Sequence, residues 1–250
     1  MSRLYCPLSL TTGQTFDLPP TAARHAQVLR LQPGASLSLF DGLGGAWQAE
    51  ITGMGRQSVQ ALVLSERELS APPTRCVTLA VGMPANERMD WLVEKATELG
   101  VSRLVPLMTE RTVVRLSGER AEKRLAHWRA IAAGACEQSG RDWLPTIDPI
   151  CGLSEWLRTG ADRDASACRI RLSLAGHATP WTALGLGARQ TLIATLGPEG
   201  GFSEAEEQTL SQAGWQGVSL GQTVLRTETA ALTVLARWAD AMPSTSVPGQ

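Results

Sequence analysis

Up to about residue 70 the apolar positions come in short runs that alternate with polar ones and are broken by glycine turns. The runs 36–40, 46–52 and 58–64 read as strands, bounded by turns at Gly34, 41–45 and 53–55. Between them, residues 21–31 favour one helix, which Pro33-Gly34 stops. Several short strands with a single helix predict a small barrel. Over 65–74 the charged positions give way to Ala71-Pro72-Pro73, a linker that divides the chain into residues 1–70 and 75–250. Beyond it strands (76–81, 103–107, 168–174, 192–196) alternate with helices, which predicts an α/β sheet. Helix 86–99 has Asn86 as its cap, Met89, Leu92, Val93 and Ala96 on one face, and Gly100 as its stop. Helix 119–138 lines up Ala121, Leu125, Trp128, Ala132 and Ala135. The closing helix, 228–242, spreads Ala231, Leu232, Val234, Leu235 and Trp238 over a wide arc, as expected of a helix buried in one core or shared between two chains. Pattern alone predicts an open, unknotted sheet.

Two segments stand out against this background. In TLIATLGPEGGFSEAE (191–206) an apolar strand ending at Leu196 breaks into Gly197-Pro198-Glu199-Gly200-Gly201, and Ser203 with Glu206 forms a capping box. Glycines here supply positive φ and let the backbone approach a ligand with no Cβ in the way. In LGQTVLRTETAAL (220–232) the same design recurs: a short strand over 217–220, Gly221, a polar turn, a helix. Two glycine turns at the ends of two strands can line one small-molecule site. The GPEGG run lacks the Lys-Ser/Thr that a P-loop uses on phosphate and magnesium, which argues against a phosphotransferase.

Composition narrows the classes. With 250 residues, 43% of them hydrophobic, the chain can bury one large core or two smaller ones. No apolar run approaches a membrane span, and the N-terminus lacks a signal-peptide pattern. Five scattered cysteines with no CxxC pair fit a reduced, cytoplasmic protein, and three distant histidines give no metal-ligand cluster. A net charge of −1 excludes a strongly basic nucleic-acid binder. Only Lys95 and Lys123 are lysines, so the cationic charge is almost all arginine. The planar arginine fork suits phosphate and base stacking, although a GC-rich genome gives the same enrichment.

The two glycine segments, together with WLVEKATELGVSRLVPLMT (91–109) and ACEQSGRDWLP (135–145), carry the patterns KxxELG, EQSGR, LGPEGGF and LRxETA in that order. In this the chain resembles the ribosomal small subunit RNA methyltransferase E family, a branch of the SPOUT class. The resemblance implies a PUA-like RNA-binding small β-barrel in residues 1–70. It also implies a SPOUT α/β domain with a trefoil knot, formed around 191–230, in residues 75–250. The implied cofactor is S-adenosyl-L-methionine, held by Leu172, Ser173 and Leu174, by Leu196, Gly197, Pro198, Glu199, Gly200 and Gly201, by Leu220 and Gly221, and by Leu225, Arg226, Glu228, Thr229 and Ala230. The implied acceptor is N3 of a uridine in 16S rRNA within the small ribosomal subunit, and the implied active unit is a homodimer.

That nitrogen holds its proton about as tightly as a tyrosine or lysine side chain, so methylation needs a base or a cation that stabilises the developing anion. Arg226 is the candidate cation, although it can equally pair with Glu228. Glu199 and Glu228 are the candidate bases, although a carboxylate near a helix N-terminus also serves the dipole. For RNA contact the candidates are Arg3, Arg24, His25 and Arg30, with Glu137, Gln138, Ser139 and Arg141 expected to face the active site or to cap a helix. Lys95 and Glu98, at i and i+3, fit an ion pair. Where the family carries a basic residue this chain has Thr223, which removes a phosphate contact; Arg103, Arg111, Arg115, Arg120 and Arg124 can compensate if they share a face. A non-catalytic RNA-binding protein that keeps the SPOUT fold is the competing reading.

Overall fold

The computed structural model describes residues 2–240 apart from Gln57, Glu68, Asn86, 160–165 and 187–189. The capping role expected of Asn86 and the helix end expected at Met242 lie outside the described residues. The chain divides into two compact units. One takes the described residues up to Pro73 together with Ala132–Leu144; the other takes Thr74–Ile131 and the described residues from Pro145 onward.

The first unit is built on a sheet of β1 (Ser2–Tyr5), β2 (Thr15–Asp17), β3 (Ser36–Phe40), β4 (Ala46–Met54) and β5 (Val59–Glu66), in the order β1-β3-β4-β5-β2. β1 runs parallel to β3 and the remaining pairs are antiparallel. Helix α1 (Pro20–Val28) lays Ala22, Ala23 and Ala26 on a core that includes Leu4, Leu37, Leu39, Ile51 and Val63. It ends before the expected residue 31 because Arg30 adopts φ +54, a left-handed turn that breaks the helix ahead of Pro33. The expected linker also begins too early at 65. β5 continues to Glu66, Arg67 N–H donates to the Ala46 carbonyl at 2.8 Å, and Ser70 N–H donates to that of Gly44 at 3.0 Å.

The second unit carries β6 (Cys76–Gly82), α2 (Arg88–Glu98), β7 (Arg103–Met108), α3 (Gly118–Ser139, whose end belongs to the first unit), β8 (Thr146–Ile147), β9 (Cys151–Gly152) and α4 (Leu153–Thr159). It continues with β10 (Cys168–Leu172), β11 (Thr179–Pro180), β12 (Thr191–Leu196), α5 (Glu204–Gln212), β13 (Gln216–Ser219) and α6 (Thr227–Asp240). The strand order is β11-β13-β10-β12-β6-β7-β8, with β9 also on β7, and every pairing is parallel. β12 lies in the middle, and its run Leu192, Ile193, Ala194, Thr195, Leu196 is buried throughout, the continuous pattern of a parallel strand covered on both faces. α6 packs on α2 and on β6, which buries Ala231, Val234, Leu235 and Trp238 within one chain. Leu232, the remaining apolar position of the arc, is only partly buried. Lys95 makes the expected pair with Glu98 at 2.8 Å and a second with Glu94. The five cysteines are free, and burial pushes the Cys6 and Cys151 thiols up to about 11, so both stay protonated and inert near neutral pH. Among the described residues no helix is long and apolar enough to cross a membrane.

Candidate active site

Because β6, β7, β10, β12 and β13 are parallel, the loops at their carboxyl ends (83–85, 109–117, 173–178, 197–203 and 220–226) gather along one edge of the sheet. The chain also reverses its direction of growth here: β7 lies on one side of β6 and β12 on the other. Open α/β sheets bind their ligands at such a switch point.

Glycine sets the geometry of this edge at two positions. A Cβ on Gly82 would stand 2.5 Å from Pro198 Cδ, and one on Gly197 would stand 2.6 Å from the Gly201 carbonyl carbon. Neither clash can be relieved by rotating a side chain, so the backbone of 197–201 packs as closely as it does only because both residues lack a Cβ. The loop closes through Gly201 N–H to the Pro198 carbonyl at 2.8 Å, with Gly201 at φ +69. Ser203 and Glu206 then form the expected capping box at the start of α5. Gly200 differs from the sequence expectation. A Cβ there would meet the Cβ and Cδ of Arg111 at 3.3 Å, so a protein side chain already lies over it.

Glu228, in the first turn of α6, is only 7% exposed and its Oε2 is buried without a hydrogen-bond partner. Beside it, Thr227 Oγ1 donates to the Gly197 carbonyl at 3.1 Å, which ties α6 to the glycine loop. A buried, unsatisfied carboxylate oxygen is costly to maintain, and a cation or a proton donor would satisfy it. Arg226 is exposed and, among the described residues, makes no ion pair; the expected alternative pairing with Glu228 is not formed. Thr229 is exposed, while Ala230 is buried and its N–H closes the first helical turn on the Arg226 carbonyl at 2.8 Å. Leu220 holds its turn through its carbonyl, which accepts from Arg237 Nη2 at 2.9 Å. Across β10, Ser173 N–H donates to the Val218 carbonyl at 2.9 Å, and Leu174 stands 73% exposed.

Glu199 is engaged elsewhere. Its Oε1 accepts from Ala85 N–H and from Arg88 Nη1, each at 3.0 Å. Burial pushes its carboxyl up, but the hydrogen bonds from the Ala85 and Glu199 N–H groups and the Arg88 guanidinium outweigh that and hold it below the usual carboxylate range. An ionised carboxylate so occupied is a weak base.

A family model described as an RNA methyltransferase domain matches residues 71–239, and one described as an RNA methyltransferase PUA domain matches 18–64. The ribosomal RNA small subunit methyltransferase E of Synechocystis is 33% identical over 239 residues, which cover 92% of this chain and 72% of that protein. The chain belongs to the ribosomal RNA small subunit methyltransferase E family. Two solved structures are similar along almost their whole length. The Neisseria gonorrhoeae member, bound to S-adenosyl methionine, has 36% identity and a TM-score of 0.87, covering 97% of this chain and 98% of that one. A Legionella pneumophila methyltransferase in complex with SAM has 33% identity and a TM-score of 0.89, covering 96% and 97%.

The candidate RNA contacts of this family member, Arg3 to Arg30 and Glu137 to Arg141, fall in the first unit, where several are spent on its own fold. Arg3 donates to Asp142 Oδ1 at 2.5 Å and to the Arg141 carbonyl at 2.8 Å, and it stacks 4.1 Å from the centre of the Phe40 ring. Glu137 accepts from Tyr5 N–H at 2.7 Å and pairs with His25 Nδ1 at 2.8 Å. Ser139 Oγ donates to the Ala135 carbonyl at 2.6 Å, closing the end of α3, while Gln138 is exposed. Burial lowers the pKa of the half-buried Arg141 guanidinium. Arg24 and Arg30 remain at the surface. Of the arginines expected to compensate for Thr223, Arg103 is bound to Asp148 and Arg124 to Asp90. Gly82, Arg88 and Asp142 escaped the sequence reading, and no local signal announces any of them. Arg111 was expected only as a compensating arginine, and its bond to the Gly200 carbonyl is new.

Proposed function

We propose that this chain uses S-adenosyl-L-methionine to methylate N3 of a uridine in 16S rRNA, as a cytoplasmic homodimer acting on the assembled small ribosomal subunit. The observation that carries the reading is the buried, unpartnered Oε2 of Glu228, next in sequence to Thr227, whose hydroxyl holds a loop that packs closely only because Gly82 and Gly197 lack a Cβ. A carboxylate complements a sulfonium and can accept a proton from uracil. The cofactor supplies an activated methyl group. The chain's own work is to enclose that group with backbone from Leu196–Gly201, Leu220–Gly221, Leu225–Ala230 and the end of β10, to exclude water, and to take up the N3 proton on Glu228. Arg226 balances the charge that develops on uracil. Glu199 holds its loop instead of acting as a base, since its oxygen already accepts two donors.

The division of labour follows the two units. Residues up to about 73, a PUA-like barrel in this reading, supply RNA affinity through Arg24, His25 and Arg30, and the second unit, a SPOUT domain knotted around 191–230, supplies the chemistry. A pair of chains is supported by Leu174 and Val224, 73% and 76% exposed on loops beside the glycine turns, where a second copy would cover them. The deciding experiment incubates the protein with labelled cofactor and either small ribosomal subunits or naked 16S rRNA, then identifies the methylated nucleoside. N3-methyluridine is expected, more from subunits than from naked RNA; binding of cofactor with no methylated product in either would leave the non-catalytic reading standing.

Two substitutions probe the roles. Arg226→Ala is expected to lower kcat about tenfold with little change in the KM for cofactor, whereas Arg30→Ala should raise the KM for rRNA with kcat intact. Steady-state kinetics in both substrates separates them, and a matched pattern would refute the assignment. Gly197→Ala is expected to weaken cofactor binding at least about tenfold, because its Cβ meets backbone at 2.6 Å. Gly200→Val should cost less, about threefold, since it presses on the flexible Arg111 chain. Isothermal titration of the two folded variants decides; equal affinities would remove the distinction between the two glycines.

A further inference from the structure

The glycine loop has few side chains with which to hold itself still, and the structure grips it from both flanks. On one flank Glu199 is tied to Ala85 and Arg88. On the other, Arg111 Nη1 donates to the Gly200 carbonyl at 2.8 Å, and the aliphatic part of the same side chain lies over the Gly200 Cα. An exposed arginine ordinarily contributes little, because ordering a long side chain costs entropy. Arg111, however, leaves a turn that is rigid on its own account. Thr109 N–H donates to Thr112 Oγ1 at 2.9 Å, the two buried hydroxyls lie 2.9 Å apart, and Thr112 N–H donates to the Thr109 carbonyl at 3.2 Å. The neighbouring Glu110 N–H donates to Glu206 Oε1 at 2.9 Å, while the other oxygen of Glu206 completes the capping box of α5. One carboxylate thus fixes both the end of the glycine loop and the turn that carries Arg111.

We propose that Arg111 is a positioning residue that pre-forms the cofactor loop, so that S-adenosylmethionine binds without first ordering Gly197–Gly201. The inference rests on the functional reading above. Its substrate is the same cofactor, and its effect belongs to cofactor affinity and not to the chemical step. A loop ordered in advance spares the ligand the entropy of ordering it, and that saving appears in the dissociation constant.

The test uses the full chain. Arg111→Met keeps the aliphatic cover and removes the donor, Arg111→Lys keeps both cover and a donor, and Lys123→Ala changes an exposed pair with Glu119 on α3. By calorimetric titration the dissociation constant for S-adenosylmethionine is expected to rise about fivefold in Arg111→Met, to return most of the way in Arg111→Lys, and to stay put in Lys123→Ala. The melting temperature without cofactor and the KM for rRNA should not change. Arg111→Met binding as tightly as the unaltered chain overturns the inference and leaves the functional reading in place. So does an unchanged cofactor affinity with a raised KM for rRNA, which would make Arg111 an RNA contact. Failure of the unaltered chain to bind the cofactor removes both.

Discussion

Glu228→Gln is expected to lower the maximal rate of methyl transfer about a hundredfold or more, the usual worth of a positioned base, while the protein stays folded. Gln has the shape of Glu and retains an oxygen that can accept, but it cannot take a proton. The native carboxylate is 7% exposed with one oxygen unpartnered, so removing its charge relieves a desolvation cost, and the melting temperature should hold or rise. The pH profile provides a second, independent readout. Without a base the reaction depends on uracil losing its own proton, so the variant's rate should climb steeply toward alkaline pH, about where a tyrosine or lysine titrates. If the variant keeps its rate and instead binds cofactor much more weakly, Glu228 holds the sulfonium and the proton has another acceptor. A rate and affinity both like the unaltered enzyme would exclude either role.

The elements that were legible in the sequence are those whose burial leaves a periodic mark. β12 is apolar at every position because the sheet is covered on both faces, and α2 shows its buried face at helical spacing. The capping box of Ser203 and Glu206 marked the start of α5 to the residue. β1, β2, β8 and β9 were missed because so few residues cannot establish a period, and α4 because 153–159 is barely two turns long. α6 shows a different limit. A wide apolar arc records only that a helix is surrounded, and within the chain α2 and β6 cover part of it.

Sequence could name the glycine turns and Glu228 as candidates, since both lie within short local runs. It could not assign Glu199, whose role depends on Arg88 and Ala85 more than a hundred positions away. Nor could it see that Gly82 matters more than Gly200, because one faces backbone and the other a side chain that can yield. The same limit applies to the EQSGR run. Its Glu137, and Asp142 just beyond it, are turned to partners in the first strand and the first helix, and no local pattern announces partners so distant in sequence.

Asp142→Ala is expected to destabilise the first unit by about 3 kcal/mol, more than any other single side-chain removal there outside the apolar core. The carboxylate is 8% exposed and accepts from Arg3, from Arg67 and from the Ser70 hydroxyl. Removing it leaves the Arg3 guanidinium, 11% exposed, without its counter-charge, and a stranded buried charge costs more than the lost pair itself is worth. Asp142→Asn should fall between, since it keeps an acceptor and loses the charge. The double substitution Arg3→Met with Asp142→Leu should recover much of the loss, because it removes both charges and fills the space with apolar side chains. Urea unfolding of the unaltered chain, the Arg3→Met and Asp142→Leu single variants and the double variant measures the cycle, and near-additive losses in the double variant would mean that the pair is not coupled. This anchoring also bears on the division of labour. Deleting residues 1–70 takes away Arg3, Arg67 and Ser70 together and strands Asp142, so a truncated chain that loses rRNA methylation has lost a folded support as well as an RNA-binding surface. Arg24→Ala with Arg30→Ala, both exposed, is the cleaner separation: it should raise the KM for rRNA while leaving the unfolding midpoint and the cofactor affinity where they were.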